Sequence, residues 1–393
     1  MQMSYRGQGV GLVLTFVFML GACHEANDAG VRGDASIDAP NEDMDGARSA
    51  DTGLVEVDDA ALEGRVEIRS PTPIEGFVGG IVPEGTVFAV VVSGDTLHAS
   101  GEASGGRTPY DYRWLSDRDG VLGLGAESDL APSEGDHMLM LEAVDADGIV
   151  RLSEPLPLHV LPLVFDWSHV RRPSAPPAAG NWMTPVDSQG ACGSCWAMAS
   201  VAAAEAQLNI QAGDPNLDID LSQQDVIDCD SRSLGCRGGG TEQALDGYMR
   251  EVGVPLERCV PFVGRDDVCR ESCTDGSMPI RYRVADTVHA LTPPGTTDHS
   301  GVRTWMQYQL VHHGPIPRSI VNMLGYDPVT HRCEARGGDH YVVVTGYDHA
   351  AGLWILKNSW GPRWNGDGYF EVAYDHCAVD TSATIIEAVL VSR

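Results

Sequence analysis

Two cysteines stand three positions apart in the stretch GACGSCWAM, Gly190 to Met198, with a tryptophan directly behind the second. Three kinds of chemistry use sulfurs placed this way. A C-x-x-C pair opening a helix is the layout of a thioredoxin-like redox site, but that reading needs a surrounding βαβ pattern, which is missing here. A zinc clip usually brings two pairs at fixed spacing, and Cys269 and Cys273 are set too differently to form the matching pair. The third use is a structural cysteine beside a reactive one. Cysteine attacks as thiolate, its free pKa is about 8.5, and the positive end of a helix dipole lowers that value. The run WAMASVAAAEAQ behind Cys195 is rich in strong helix formers and predicts a helix over Trp196–Gln211, with Cys195 at its start. Cys192 falls in the glycine-flanked loop before it, where a disulfide could fix the loop. A histidine from elsewhere in the chain would then pair with the thiolate and relay protons.

The remaining motifs follow downstream in a definite order. They are LSQQDVIDCD (Leu221–Asp230), GCRGG (Gly235–Gly239), GGDHYVVVTGY around His340, WILKNSWG around Asn358 and GDGYFEV (Gly366–Val372). Together with QGACGSCWA this series resembles the papain-like cysteine proteases, and the resemblance covers Pro162 to Arg393. It implies an α+β catalytic domain of two lobes, with a mostly helical half carrying Cys195 and a β-rich half carrying His340 and Asn358. In that family Cys195 would be the nucleophile that forms a thioester acyl-enzyme. His340 would be its ion-pair partner and later the general acid. Asn358 would orient the imidazole, and Trp360 would cover that bond. Gln189 would share an oxyanion hole with the Cys195 backbone N–H, at about 3 kcal/mol per donor.

The resemblance reaches further residues. Gly238 and Gly239 resemble the strand that pairs with substrate backbone. Gly240, Ile316, Gly338 and Ser382, beside Asp339, would wall the pocket for the second residue before the scissile bond. The wall set is uncharged, which favours Leu, Val, Phe or Tyr there, because a charged side chain would lose its water without gaining a partner. The implied disulfides are Cys192–Cys236, Cys229–Cys269 and Cys333–Cys377. Cys259 and Cys273 remain to pair with each other, although spacing alone leaves free thiols or an alternative with Cys269 open. No metal or organic cofactor is implied. The departures are an absent helical inhibitory segment before the domain, a long loop SHVRRPSAPPAAGNW, and Tyr341 where a small residue commonly follows the histidine.

The chain that must position these groups has 393 residues and a formal net charge of −30, which would repel a phosphate backbone and excludes nucleic acid as a partner. Lys357 is its single lysine. Residues 1–22 read as a secretory signal, with Arg6 ahead of an apolar run that is too short to span a bilayer. Leu20-Gly21-Ala22-Cys23 resembles the lipobox of bacterial lipoproteins, in which Cys23 would be lipidated. Export implies an oxidising compartment that allows disulfides. It also implies a membrane-anchored monomer at the cell envelope, on the outer membrane or cell surface. Residues 23–64 are acidic and lack aromatics, so they read as a disordered tether. Residues 65–161 alternate in short runs such as YDYRW and HMLMLEAVDADG, broken by turn residues, and read as an all-β sandwich. They resemble the PKD-like and Ig-like modules of bacterial surface proteins. Residues 162–393 are the catalytic domain. Two rival functions use the same residues: a surface binding protein or adhesin on an inactive papain-like scaffold, and a cell-wall amidase.

Overall fold

The computed structural model of the protein describes residues 63–70, 74–75, 87–177, 180–290, 299–381 and 383–392. The expected signal segment, Cys23, the tether as far as residue 62, and Ser382 lie outside the described residues. The described residues all belong to one compact unit, Leu62–Arg393. Among them no helix is long and apolar enough to cross a membrane.

Ten strands come first: β1 (Glu63–Ser70), β2 (Ile74–Glu75), β3 (Val87–Val92), β4 (Leu97–Ser104), β5 (Asp111–Ser116), β6 (Gly120–Leu124), β7 (Glu127–Leu130), β8 (Gly135–Val144), β9 (Val150–Leu152) and β10 (Leu156–Leu161). They form one sheet ordered β1-β4-β7 and a larger one ordered β2-β3-β10-β8-β5-β6, with β9 on β8. The period-2 pattern of the sequence sets the inward faces. Leu139, Leu141 and Ala143 of β8 alternate inward, and Trp114 of β5 is fully enclosed. Leu97, Ala99 and Leu130 of the smaller sheet meet Trp114, Leu139, Leu141 and Leu158 of the larger in one core.

Strand β3 carries an unbroken apolar run, FAVVV, because both of its faces are covered. Ala89 and Val91 point into the core between the sheets. Phe88, Val90 and Val92 point the other way, into the core of the following domain. Its neighbour β10 runs parallel to it, and strands buried on both sides read as continuous hydrophobic runs. The first domain is therefore packed directly onto the second.

The second domain opens with β11 (Val164–Asp166), α1 (Cys195–Ala212), α2 (Gln223–Cys229) and a π-helical turn Gln243–Met249. Then come β12 (Val254–Pro255), β13 (Arg281–Ala290), α3 (His299–His313), β14 (Ile316–Ile320), β15 (Tyr326–Asp327), β16 (Arg332–Cys333), β17 (His340–Asp348), β18 (Leu353–Lys357), β19 (Tyr369–Ala373) and β20 (Ala383–Ser392). One antiparallel sheet runs β11-β17-β18-β19 with β14 on β17, and another runs β12-β13-β20. Helix segments thus precede a β-rich half, an α+β arrangement. Helix α1 is buried from Trp196 through Asn209. Its many alanines follow from that burial, since small side chains let the helix lie close against β17 and β14. Gly213 ends it in the left-handed conformation at φ 64°, its N–H returning to the carbonyls of Asn209 and Ile210. Ser222 caps α2 by accepting the Asp225 N–H at 3.0 Å. The Asp225 carboxylate then takes Arg281 in two contacts, 2.9 and 3.2 Å, which ties α2 to β13.

Four disulfides join Cys192 to Cys236, Cys229 to Cys269, Cys259 to Cys273 and Cys333 to Cys377. Cys195 is the free thiol among the described cysteines.

Candidate active site

The loop before Cys195 and the GCRGG loop lock into each other. Beyond the Cys192–Cys236 disulfide, Gly193 donates its N–H to the Cys236 carbonyl at 2.9 Å. A Cβ on Gly193 would stand 2.6 Å from that same oxygen, so only glycine fits there. Trp196 is fully buried and donates Nε1–H to the Gly235 carbonyl at 3.2 Å. Its ring occupies the place where a Cβ on Gly239 would sit, 2.6 Å away. Trp196 and the glycines of the GCRGG loop are thus two halves of one contact.

Cys195 is the first residue of α1 and His340 the first of β17. The Cys195 sulfur takes up the backbone N–H of Tyr341, the neighbour of His340. Burial pushes the Cys195 thiol up, against the N–H groups of Tyr341, Trp196 and Cys195, which pull it down. The helix position acts with those N–H groups, favouring the thiolate that burial disfavours. Burial likewise pushes the His340 imidazole down, and the hydrogen bond to Asn358 pulls it up.

His340 Nε2 lies 2.7 Å from Asn358 Oδ1. The same oxygen accepts the Ser359 backbone N–H at 2.7 Å. A backbone amide can only donate, so the atom between them must be the oxygen, which settles the orientation of the Asn358 amide. It follows that His340 carries its proton on Nε2 and leaves Nδ1 free to accept another. Trp360 lies over the imidazole with ring centroids 4.7 Å apart, and Trp364 meets Trp360 edge-on. Gln189 is held from three sides. Its backbone N–H donates to the Ser359 carbonyl at 2.9 Å. Its Oε1 accepts the Ser359 hydroxyl at 2.7 Å, and its Nε2 donates to the Cys192 carbonyl at 2.9 Å. One N–H of the amide is left over.

The expected pocket wall is only partly brought together. Ile316 is fully buried at the head of β14, opposite Val344. Gly240 is buried, and a Cβ there would meet Gln243 Oε1 at 2.0 Å. Gly238 has φ 119° and borders open space. Gly338, at φ 86°, and Asp339 are exposed just before His340, and a Cβ on Gly338 would stand 2.6 Å from Leu324 Cγ. Gly338 is thus required by the backbone as much as by any ligand.

Two residues singled out by type alone, Tyr341 and Lys357, find their partners in the fold. Tyr341 is half-buried and faces Ser319 of β14 across the sheet, with a hydrogen bond to it. Its titratable neighbours include Cys195, Glu242 and Arg318. Behind the site, the single lysine Lys357 and Glu205 are both buried. Thr184 donates to Glu205 Oε2 at 2.6 Å, the Leu221 N–H to Oε1 at 2.7 Å, and Lys357 Nζ to the Thr184 hydroxyl at 3.2 Å. Asp187 accepts from Gln223 Nε2 at 3.1 Å and is close enough to Lys357 for the two charges to interact. This polar cluster anchors α1 to the end of β18, next to Asn358. Its signal was the lone lysine ending an apolar strand.

Residues 161–386 match the papain family cysteine protease family. A viral cathepsin of Lymantria dispar multicapsid nuclear polyhedrosis virus is 36% identical over 219 residues, 54% of this chain and 54% of that protein. Cathepsin C of Schistosoma mansoni is 31% identical over 251 residues, 58% of this chain and 52% of that protein. A solved cysteine protease of Carica candamarcensis, in complex with E-64, is 28% identical over 57% of this chain and 98% of that chain, with a TM-score of 0.43. The chain spans about half the length of the curated relatives it matches. By its sequence match over more than half its length, this chain belongs to the papain family of cysteine proteases.

Proposed function

We propose that the protein hydrolyses peptide bonds through a thioester acyl-enzyme on Cys195. One observation carries the reading. Asn358 Oδ1, fixed by the Ser359 N–H, holds the His340 proton on Nε2 and so keeps Nδ1 as the base. Nδ1 takes the Cys195 proton as the sulfur attacks a substrate carbonyl. Burial resists an isolated charge on either group, but this transfer creates both charges at once, and in a low-dielectric site each stabilises the other. The oxyanion that forms meets the Cys195 backbone N–H and the remaining Gln189 N–H. The Nδ1 proton then goes to the leaving amine. A water, deprotonated by the same nitrogen, releases the acid from the thioester.

The inactive-scaffold reading is disfavoured, because nucleophile, histidine and orienting amide are all retained. Purified protein should hydrolyse peptide libraries, and Cys195→Ser should abolish this while preserving the circular dichroism spectrum. A fully active Cys195→Ala variant would defeat the reading.

The setting is also proposed. Leu20-Gly21-Ala22-Cys23 supports an exported, lipid-anchored monomer at the bacterial envelope. The YDYRW and HMLMLEAVDADG strands support a PKD-like or Ig-like module ahead of the protease.

A further inference from the structure

The packing of the two domains brings three metal-binding side chains to one place. Asp136 is on β8, His159 on β10 and His312 in the last turn of α3, and one donor atom from each lies within 4.8 Å of the other two. His159 Nδ1 and Asp136 Oδ1 are 2.7 Å apart. The histidine rings are held by packing. His159 meets Phe88 edge-on at 5.3 Å and Tyr308 at 5.1 Å, and His312 lies 4.4 Å from Tyr308. The His159 and His312 rings are themselves 5.2 Å apart. Asp136 and His312 are both exposed, so water has access to the group.

The geometry points to a divalent transition-metal site that bridges the two domains, with Asp136, His159 and His312 as ligands and water completing the shell. Two imidazoles and one carboxylate suit zinc, cobalt, nickel or copper better than magnesium or calcium, which prefer oxygen alone. Ligand atoms of a tetrahedral zinc site stand about 3.3 Å apart, as bonds of about 2.0–2.1 Å require. Small rotations of the exposed Asp136 and His312 would close the remaining distance. Two ligands come from the first domain and one from α3 of the protease, so a bound ion would clamp one to the other. This site is separate from the Cys195 chemistry, for which no metal is invoked.

The test uses the full chain carrying Cys195→Ala, because the active-site thiol and imidazole could themselves take up zinc. After chelator treatment and dialysis, zinc is titrated against a chromophoric chelator and by calorimetry, and cobalt is followed by its visible absorption. We expect one equivalent of zinc per chain, a raised unfolding midpoint, and cobalt bands of a four- or five-coordinate N/O site. His312→Ala and Asp136→Asn should each weaken zinc by about 10–100-fold or more, the range typical even for the supporting residues of a metal site. Absence of saturable zinc binding in the Cys195→Ala chain would overturn the proposal. So would binding left unchanged by both His312→Ala and His159→Ala.

Discussion

Ser359 sets the tautomer of His340 without touching it. Its backbone N–H and His340 Nε2 both lie 2.7 Å from Asn358 Oδ1, so the side chain between them can only present its oxygen. Replacing Asn358 by alanine leaves His340 without this partner under the cover of Trp360. A hydrogen bond to a group that becomes charged is worth about 1.5–3 kcal/mol. The expected loss is thus about 10- to 150-fold in kcat, with KM nearly unchanged, read from steady-state hydrolysis of a peptide ester and amide.

Glu257 should favour the folded state more in mild acid than at neutral pH. Burial pushes Glu257 up to about 7 from an ordinary 4.5, and its Oε2 has no protein partner. Between those values the folded chain binds more protons at Glu257 than the unfolded one does, so this group's contribution to stability falls as pH rises through that window. Asp187 and Asp220 are raised by burial in the same sense. His313, pushed down to about 4 by burial, acts in the opposite sense, so the test compares variants. In thermal melts Glu257→Gln should raise the midpoint more at pH 7 than at pH 4.5. An equal effect at both pH values would refute this.

Tyr341 should narrow the pocket for the second residue before the scissile bond. Its neighbours Glu242, Arg318 and Ser319 stand close in sequence to the expected wall residues Gly240 and Ile316. Leu and Val are therefore expected to outrank Phe and Tyr at that substrate position. Tyr341→Ala should raise the kcat/KM ratio of aromatic over aliphatic peptides by about 10-fold or more, the scale of a hydrophobic pocket changed by a few carbons. Gly338→Val is a poorer probe, since its positive φ and Leu324 would strain the backbone first. A library profile led by Arg would contradict the pocket.

Cys23 carries the proposed lipid. The mature chain should begin at Cys23 and partition with membranes, and Cys23→Ser should release it to the soluble fraction. Mass spectrometry finding an unmodified N-terminus at another residue would count against the anchor.

Much of the site could be read from the sequence because its residues serve short-range geometry. Trp196 follows Cys195 because it must meet Gly235 and Gly239, and Gly193 has no room for a side chain against Cys236. Constraints of that kind leave fixed motifs. The long-range parts leave none. Spacing could not choose a partner for Cys273, whereas the fold sets Cys259 against it. Lys357 could be counted but not placed, because its partners Thr184 and Glu205 come from distant segments. The burial that opposes the helix position at Cys195 left no motif either: helix position is local, but burial depends on everything packed around it. The unbroken run FAVVV implies that both faces of β3 are covered, but it does not say that one of them is covered by the second domain.

The central claim, that Cys195 is the nucleophile, is tested most directly by mass spectrometry of the full chain treated with an epoxide inhibitor of papain-like enzymes. Tryptic peptides should show one adduct per chain, on Cys195, formed in step with loss of peptide hydrolysis and absent when Asn358 and His340 are both replaced by alanine. An adduct on Cys192, or full hydrolysis by protein stoichiometrically alkylated at Cys195, would contradict the account.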